Sequence, residues 1–117
     1  MLVYRCYKIL EARLAFVRKD RKFHCLIVGL ARNPKLFAVF VRLHTYVRVL
    51  RVFGRVAAEQ MRAANGPEHL AIAEALRGGG PEAVKRAIRL HVTNGLARAR
   101  ERMEAVGSLS PAGRGAG

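Results

Sequence analysis

The sequence is poor in acidic residues: Asp and Glu together number 8 among 117, and Asp20 is the sole aspartate. Against 22 Lys and Arg, this leaves a formal net charge of +14 and an isoelectric point near 11.4. Such a balance favours a polyanion or an acidic ligand as partner. Cysteine is nearly absent. Cys6 and Cys25 cannot build a disulfide framework and read as reduced, buried thiols of a cytosolic protein. No serine occurs before Ser108, and Glu11 lies near the start, which argues against a transit peptide. Long hydrophobic runs are missing too. The longest stretch of apolar residues and glycine is Cys25 to Ala31, and Arg5, Lys8, Glu11 and Arg13 interrupt the N-terminal segment. Neither a signal-peptide core nor a membrane span is predicted, so the expectation is a soluble, cytoplasmic protein without a membrane partner. There is no internal repeat and no strand-like alternation.

What is present is a core-forming fraction of 51% hydrophobic residues in a length that suits one domain. Turn signals at Asn33-Pro34, Asn65-Gly66-Pro67 and Gly78-Gly79-Gly80-Pro81 cut the chain into four stretches, each of which reads as helix. Leu10, Leu14, Val17, Phe23, Ile27 and Leu30 recur at mostly three-to-four-residue intervals, predicting a first helix that ends near Arg32. The second, a candidate central helix, starts at Pro34 and carries Leu36, Phe40, Leu43, Tyr46, Val47, Leu50 and Phe53 on one face. Its β-branched Val39, Val41, Val49 and Val52 leave a strand open for part of it. The third runs from Pro67 to Arg77 with Leu70, Ile72, Ala73 and Leu76. The fourth runs from Pro81 to about Val106 with Val84, Ile88, Val92, Leu96 and Met103. The prediction is an all-α, antiparallel bundle of about four helices over residues 1–106, followed by a disordered tail over 107–117.

Charge is uneven along the chain, with a net of +11 over residues 1–55 and +3 over 56–117. The four histidines and the single aspartate can be weighed one by one. Asp20 and His24 are four apart on a predicted helix and share a face, a spacing that lets two ligands reach one metal ion. His69 precedes the triple glycine by nine residues and His91 follows it by eleven, so an antiparallel hairpin places them at nearly the same height. If the two pairs pack together, one carboxylate and three imidazoles suit zinc, nickel, manganese or iron, with coordination positions left open. The competing reading of any such histidine is a satisfied core or boundary residue. His44, beside Thr45 and Tyr46 with no acid nearby in sequence, is expected to be a packing or surface residue.

The run Asp20-Arg-Lys-Phe-His24, the apolar stretch ending in Asn33-Pro34, then Glu68-His69-Leu-Ala-Ile72-Ala-Glu-Ala75-Leu76 and Ala87-Ile88-Arg89-Leu90-His91 resemble, in order and interval, the FCD domain. That is the C-terminal effector domain of FadR-type regulators in the GntR family, and the resemblance covers roughly residues 10–104. It implies a helical domain in which Asp20, His24, His69 and His91 bind a divalent metal, zinc first among the options. A small organic acid then completes the coordination and meets donors such as Asn94 or a nearby Arg. It also implies a homodimer that senses this effector and modulates DNA binding through a winged helix-turn-helix domain. This sequence begins about where the metal-bearing helix begins, and so reads as the C-terminal part of such a regulator. No nucleophile-base pair is evident, so binding without turnover is expected.

The alternative reading is a small basic helical nucleic-acid-binding protein. Arg48, Arg51, Arg55 and Arg62, spaced by three, four and seven, would form a stripe along the second helix that tracks phosphates nonspecifically. Aromatics do not interleave with these arginines, which disfavours base stacking.

Overall fold

The elements are helices, as the hydrophobic periodicity predicts, and no strand occurs among the described residues. A computed structural model of the chain describes residues 1–54 and 56–108, without the side chains at 106 and 108. Helix α1 spans Leu2–Gly29, α2 spans Pro34–Phe53, α3 spans Ala58–Glu74 and α4 spans Gly80–Ser108. A π-helical turn, Ala75–Gly79, joins the last two. The chain divides into two units, Met1–Ala64 and Asn65–Gly117, and the division falls within α3. No helix among the described residues is long and apolar enough to cross a membrane. Because α4 continues to Ser108, the first two residues of the expected tail are helical; 109–117 lie outside the described residues.

In the first unit, α1 and α2 pack against each other through a tight reversal. Leu30, Ala31 and Arg32 each donate a backbone N–H to the carbonyl three residues earlier, and Arg32 adopts φ 52, the left-handed conformation that ends many helices. Asn33 then caps α2: its side-chain oxygen accepts the Leu36 N–H at 3.1 Å, and Pro34 occupies the first helical position, where its missing N–H costs nothing. The β-branched residues of α2 are all accommodated in helix, so the strand option is not realised.

The second break does not fall at Asn65-Gly66-Pro67. It lies between α2 and α3, where Gly54 turns the chain in an extended conformation; a Cβ there would meet the Leu50 carbonyl oxygen at 2.5 Å. The Ala57 N–H is accepted by the Gln60 side chain at 3.2 Å, half of a capping box, and α3 follows. Pro67 sits inside that helix. Its lost backbone bond, normally about 3 kcal/mol in a helix interior, is tolerated because Asn65 and Glu68 on either side are both held by side chains of α4. Gly80, at φ 79, opens α4, with Pro81 and Glu82 in the first turn.

The core of the first unit is Phe16 and Val17 of α1 with Met61 of α3, flanked by Val52 and Val56. The Arg13 guanidinium donates to the Val56 carbonyl at 3.2 Å beside it. The expected apolar face of α2 is not the packed one. Leu36, Leu43, Tyr46, Val47, Leu50 and Phe53 are exposed, whereas His44 is buried and Arg48 and Arg51 are half-buried. These three are spaced by four and three residues, a helical face of their own, and Asp20 on α1 draws that polar face inward. In the second unit, Val92, Leu96 and Met103 are likewise exposed, while Ile88, His91, Asn94 and Arg98 are shielded.

Candidate functional site

The sole aspartate is the centre of the first unit. Asp20 is 2% exposed, and it lies one helical turn from His24 on α1. Its Oδ2 accepts a hydrogen bond from Arg51 Nη1 at 2.6 Å and lies 3.2 Å from His44 Nε2; its Oδ1 lies 3.4 Å from His24 Nε2. Burial alone would raise the Asp20 carboxyl, but the hydrogen bonds from His24 and His44 and the Arg51 charge outweigh it and hold the group well below the usual carboxylate range. An ionised carboxylate only accepts, so His44 Nε2 carries its proton in this contact. Phe40 packs against both imidazoles, 6.3 Å from the His24 ring and 5.2 Å from the His44 ring, and the two imidazoles lie 5.7 Å from each other. Arg51 is fixed from the other side by the Phe16 ring, 5.6 Å from its guanidinium carbon, a cation–π contact that ties the polar seam to the core.

His44 is therefore a correction to the sequence reading: it is a hydrogen-bonding partner of Asp20, not a packing or surface residue. The acid it needs lies 24 residues away in sequence, out of reach of a local reading. The signal that could have found it is the spacing His44, Arg48, Arg51, three polar residues on one face of a mostly apolar helix.

The second unit carries the other histidines. His69 on α3 and His91 on α4 meet edge to face, with ring centroids 4.8 Å apart, as the hairpin spacing predicts. Beside them lies a network that the sequence reading did not assign. Glu68 Oε1 accepts from His91 Nδ1 at 2.7 Å and from Arg98 Nη2 at 2.9 Å; its Oε2 accepts from Asn94 Nδ2 at 2.8 Å and from Arg98 Nη1 at 3.1 Å. Arg98 Nη2 also donates to Asn65 Oδ1 at 3.2 Å, and Asn65 is 1% exposed. Asn94, expected as a donor to an effector, thus gives an amide proton to Glu68. Glu68 was visible in sequence only as the neighbour of His69. Arg98 was visible only as the third member of a three-and-four spacing with His91 and Asn94.

Burial raises the Glu68 carboxyl, but the hydrogen bonds from Arg98, His91 and Asn94, with the Arg98 charge, lower it from 4.5 to about 2. A depressed carboxyl contributes stability that is complete above its unfolded value and is lost as the pH falls through its folded one. The urea midpoint of the metal-free chain is accordingly expected to fall between pH 4.5 and 2. Glu68→Gln should flatten part of that fall; an unchanged profile would contradict the assignment.

The four arginines of the alternative reading are not one stripe. Arg48 and Arg51 lie on α2, Arg62 is exposed on α3, and Arg55 lies outside the described residues. Arg51 commits Nη1 to Asp20, and its side chain is only 13% exposed.

The model of the FCD domain matches residues 5–94, a span that includes Asp20, His24, His69, His91 and Asn94 and stops short of Arg98. No curated protein and no solved structure matches the sequence. With more than half its length matched, the chain belongs to the FCD domain family, the effector-binding regulatory domains of GntR-type regulators.

Proposed function

We propose that this chain is a metal-dependent sensor of a small organic acid. Asp20, His24, His69 and His91 hold a divalent cation, zinc foremost among zinc, nickel, manganese and iron. The observation that carries the reading is the pairing of these four within the matched family span: Oδ1 of Asp20 lies 3.4 Å from Nε2 of His24, and the His69 and His91 rings are 4.8 Å apart. The donor set suits the ion. One buried ionised carboxylate and three imidazoles are ligands that zinc and its neighbours accept, with positions left for an outside oxygen. When bound, the ion supplies a Lewis-acidic contact for a ligand carboxylate.

The residues around it do the rest. His44 and Arg51 hold the Asp20 carboxylate in place, and Glu68 holds His91. The function is binding without turnover, in a cytoplasmic homodimer. DNA responds through a winged-helix module whose affinity is biased when effector and metal favour one packing of the helices over another.

The test is a thermal-melt series on metal-loaded and chelator-treated protein with a panel of small mono-, di- and tricarboxylates. A ligand at a hundredfold excess over its Kd adds about 2.7 kcal/mol, a rise of several degrees that is expected only with metal present. A panel that raises the midpoint in neither preparation, or equally in both, contradicts the proposal.

A further inference from the structure

We infer that Glu68 is the positioning residue of His91: it fixes the Nδ1–H tautomer, so that the lone pair for a metal resides on Nε2, and Arg98 fixes Glu68 in turn. The inference rests on the reading of His91 as a metal ligand and deepens it. It lies wholly within the second unit. The tautomer follows from the donors that surround the carboxylate. Arg98 has no acceptor atom and presents both Nη groups, one to each oxygen of Glu68, at 2.9 and 3.1 Å. The Asn94 amide nitrogen, which only donates, adds a third N–H at 2.8 Å. Glu68 is therefore an acceptor throughout, and the remaining contact, 2.7 Å to His91 Nδ1, requires that nitrogen to carry the proton.

The backbone makes the arrangement stiff. His91, Asn94 and Arg98 stand at intervals of three and four on α4, so one face carries the imidazole and the two side chains that clamp its partner. Asn65, buried one turn before Glu68 on α3, accepts the other proton of Arg98 Nη2. Glu68 is adjacent in sequence to His69. A single step of α3 thus provides one imidazole and the orienter of the other. Carboxylates that orient metal-bound imidazoles raise ligand basicity, and their loss commonly weakens metal affinity by about 10–100-fold. Asn94 and Arg98 act through Glu68; they are holders of the holder. Glu68, His91 and Asn94 lie within the matched family span and Arg98 stands outside it.

Two measurements on the full 117-residue chain test the inference. Long-range proton–nitrogen NMR of the metal-free wild type reads the His91 tautomer without any metal. Nδ1–H is expected, with Nε2–H gaining population in Glu68→Ala; an Nε2–H tautomer in the wild type overturns the inference, whatever the variants do. Zinc and cobalt titration against a chromophoric chelator then compares wild type with Glu68→Gln and Arg98→Lys, each first checked for native helical signal. Affinity is expected to fall about 10–100-fold in Glu68→Gln and less in Arg98→Lys, which keeps the charge and loses the fork. Equal affinities in folded wild type and Glu68→Gln overturn the inference. A wild type that binds neither metal overturns instead the reading of His91 as a ligand, and the tautomer result then stands or falls separately.

Discussion

Asp20→Ala is expected to produce the largest loss of any single substitution, both of stability and of metal binding. Asp20 is 2% exposed, and Arg51, whose side chain is 13% exposed, has its short contact there. Removing one member of a buried, hydrogen-bonded charge pair costs about 3–5 kcal/mol, because the surviving charge is left desolvated without its counter-ion. The burden here falls on Arg51 and on the buried His44, whose Nε2 loses its acceptor. Since a small domain has only about 5–15 kcal/mol in total, the variant should show a much reduced urea midpoint in the metal-free state. Asp20→Asn keeps the shape and one acceptor oxygen but not the charge, and should fall between the two. A midpoint within about 0.5 kcal/mol of wild type in Asp20→Ala, the range of surface substitutions, would show that the polar seam between α1 and α2 contributes nothing.

Met61→Ala isolates the apolar side of the same unit. Met61 is 1% exposed and packs with Phe16 and Val17. Truncating a buried methionine costs about 2–5 kcal/mol, from lost transfer energy and the cavity left behind. Met61→Leu, close in volume, should cost less than about 1.5 kcal/mol, and Met103→Ala, at a residue 74% exposed, should stay within about 0.5 kcal/mol. Metal affinity per folded molecule should be unchanged in Met61→Ala, in contrast with Asp20→Ala. Equal midpoints for Met61→Ala and Met103→Ala would mean that Phe16, Val17 and Met61 do not form the core.

Helix identity was legible because it depends on local period and on caps: Asn33 before Pro34, and the glycines before Pro81, work within a few residues. The face each helix turns inward was not. On α2 the apolar positions outnumber the polar ones, so periodicity nominated Leu36, Leu43 and Leu50; a single buried charge on α1 engages His44 and Arg51 instead. Asn65-Gly66-Pro67 carries every local sign of a turn and is helical, with Asn65 held by Arg98, a partner 33 residues away in sequence. The candidate ligands were legible for the opposite reason. Asp20 with His24 and His69 with His91 depend on helical pitch and hairpin symmetry, which spacing records. Glu68 and Arg98 were missed because charged residues in a chain of net +14 read as solvated by default, and only the fold shows which acid meets which base.

The most direct test is the metal content of the purified chain after zinc loading and removal of excess, measured beside His24→Ala and His91→Ala. One divalent ion per wild-type chain, lost in both variants while their helical signal persists, is the predicted result. Metal-free wild type, or equal occupancy in all three proteins, would contradict it.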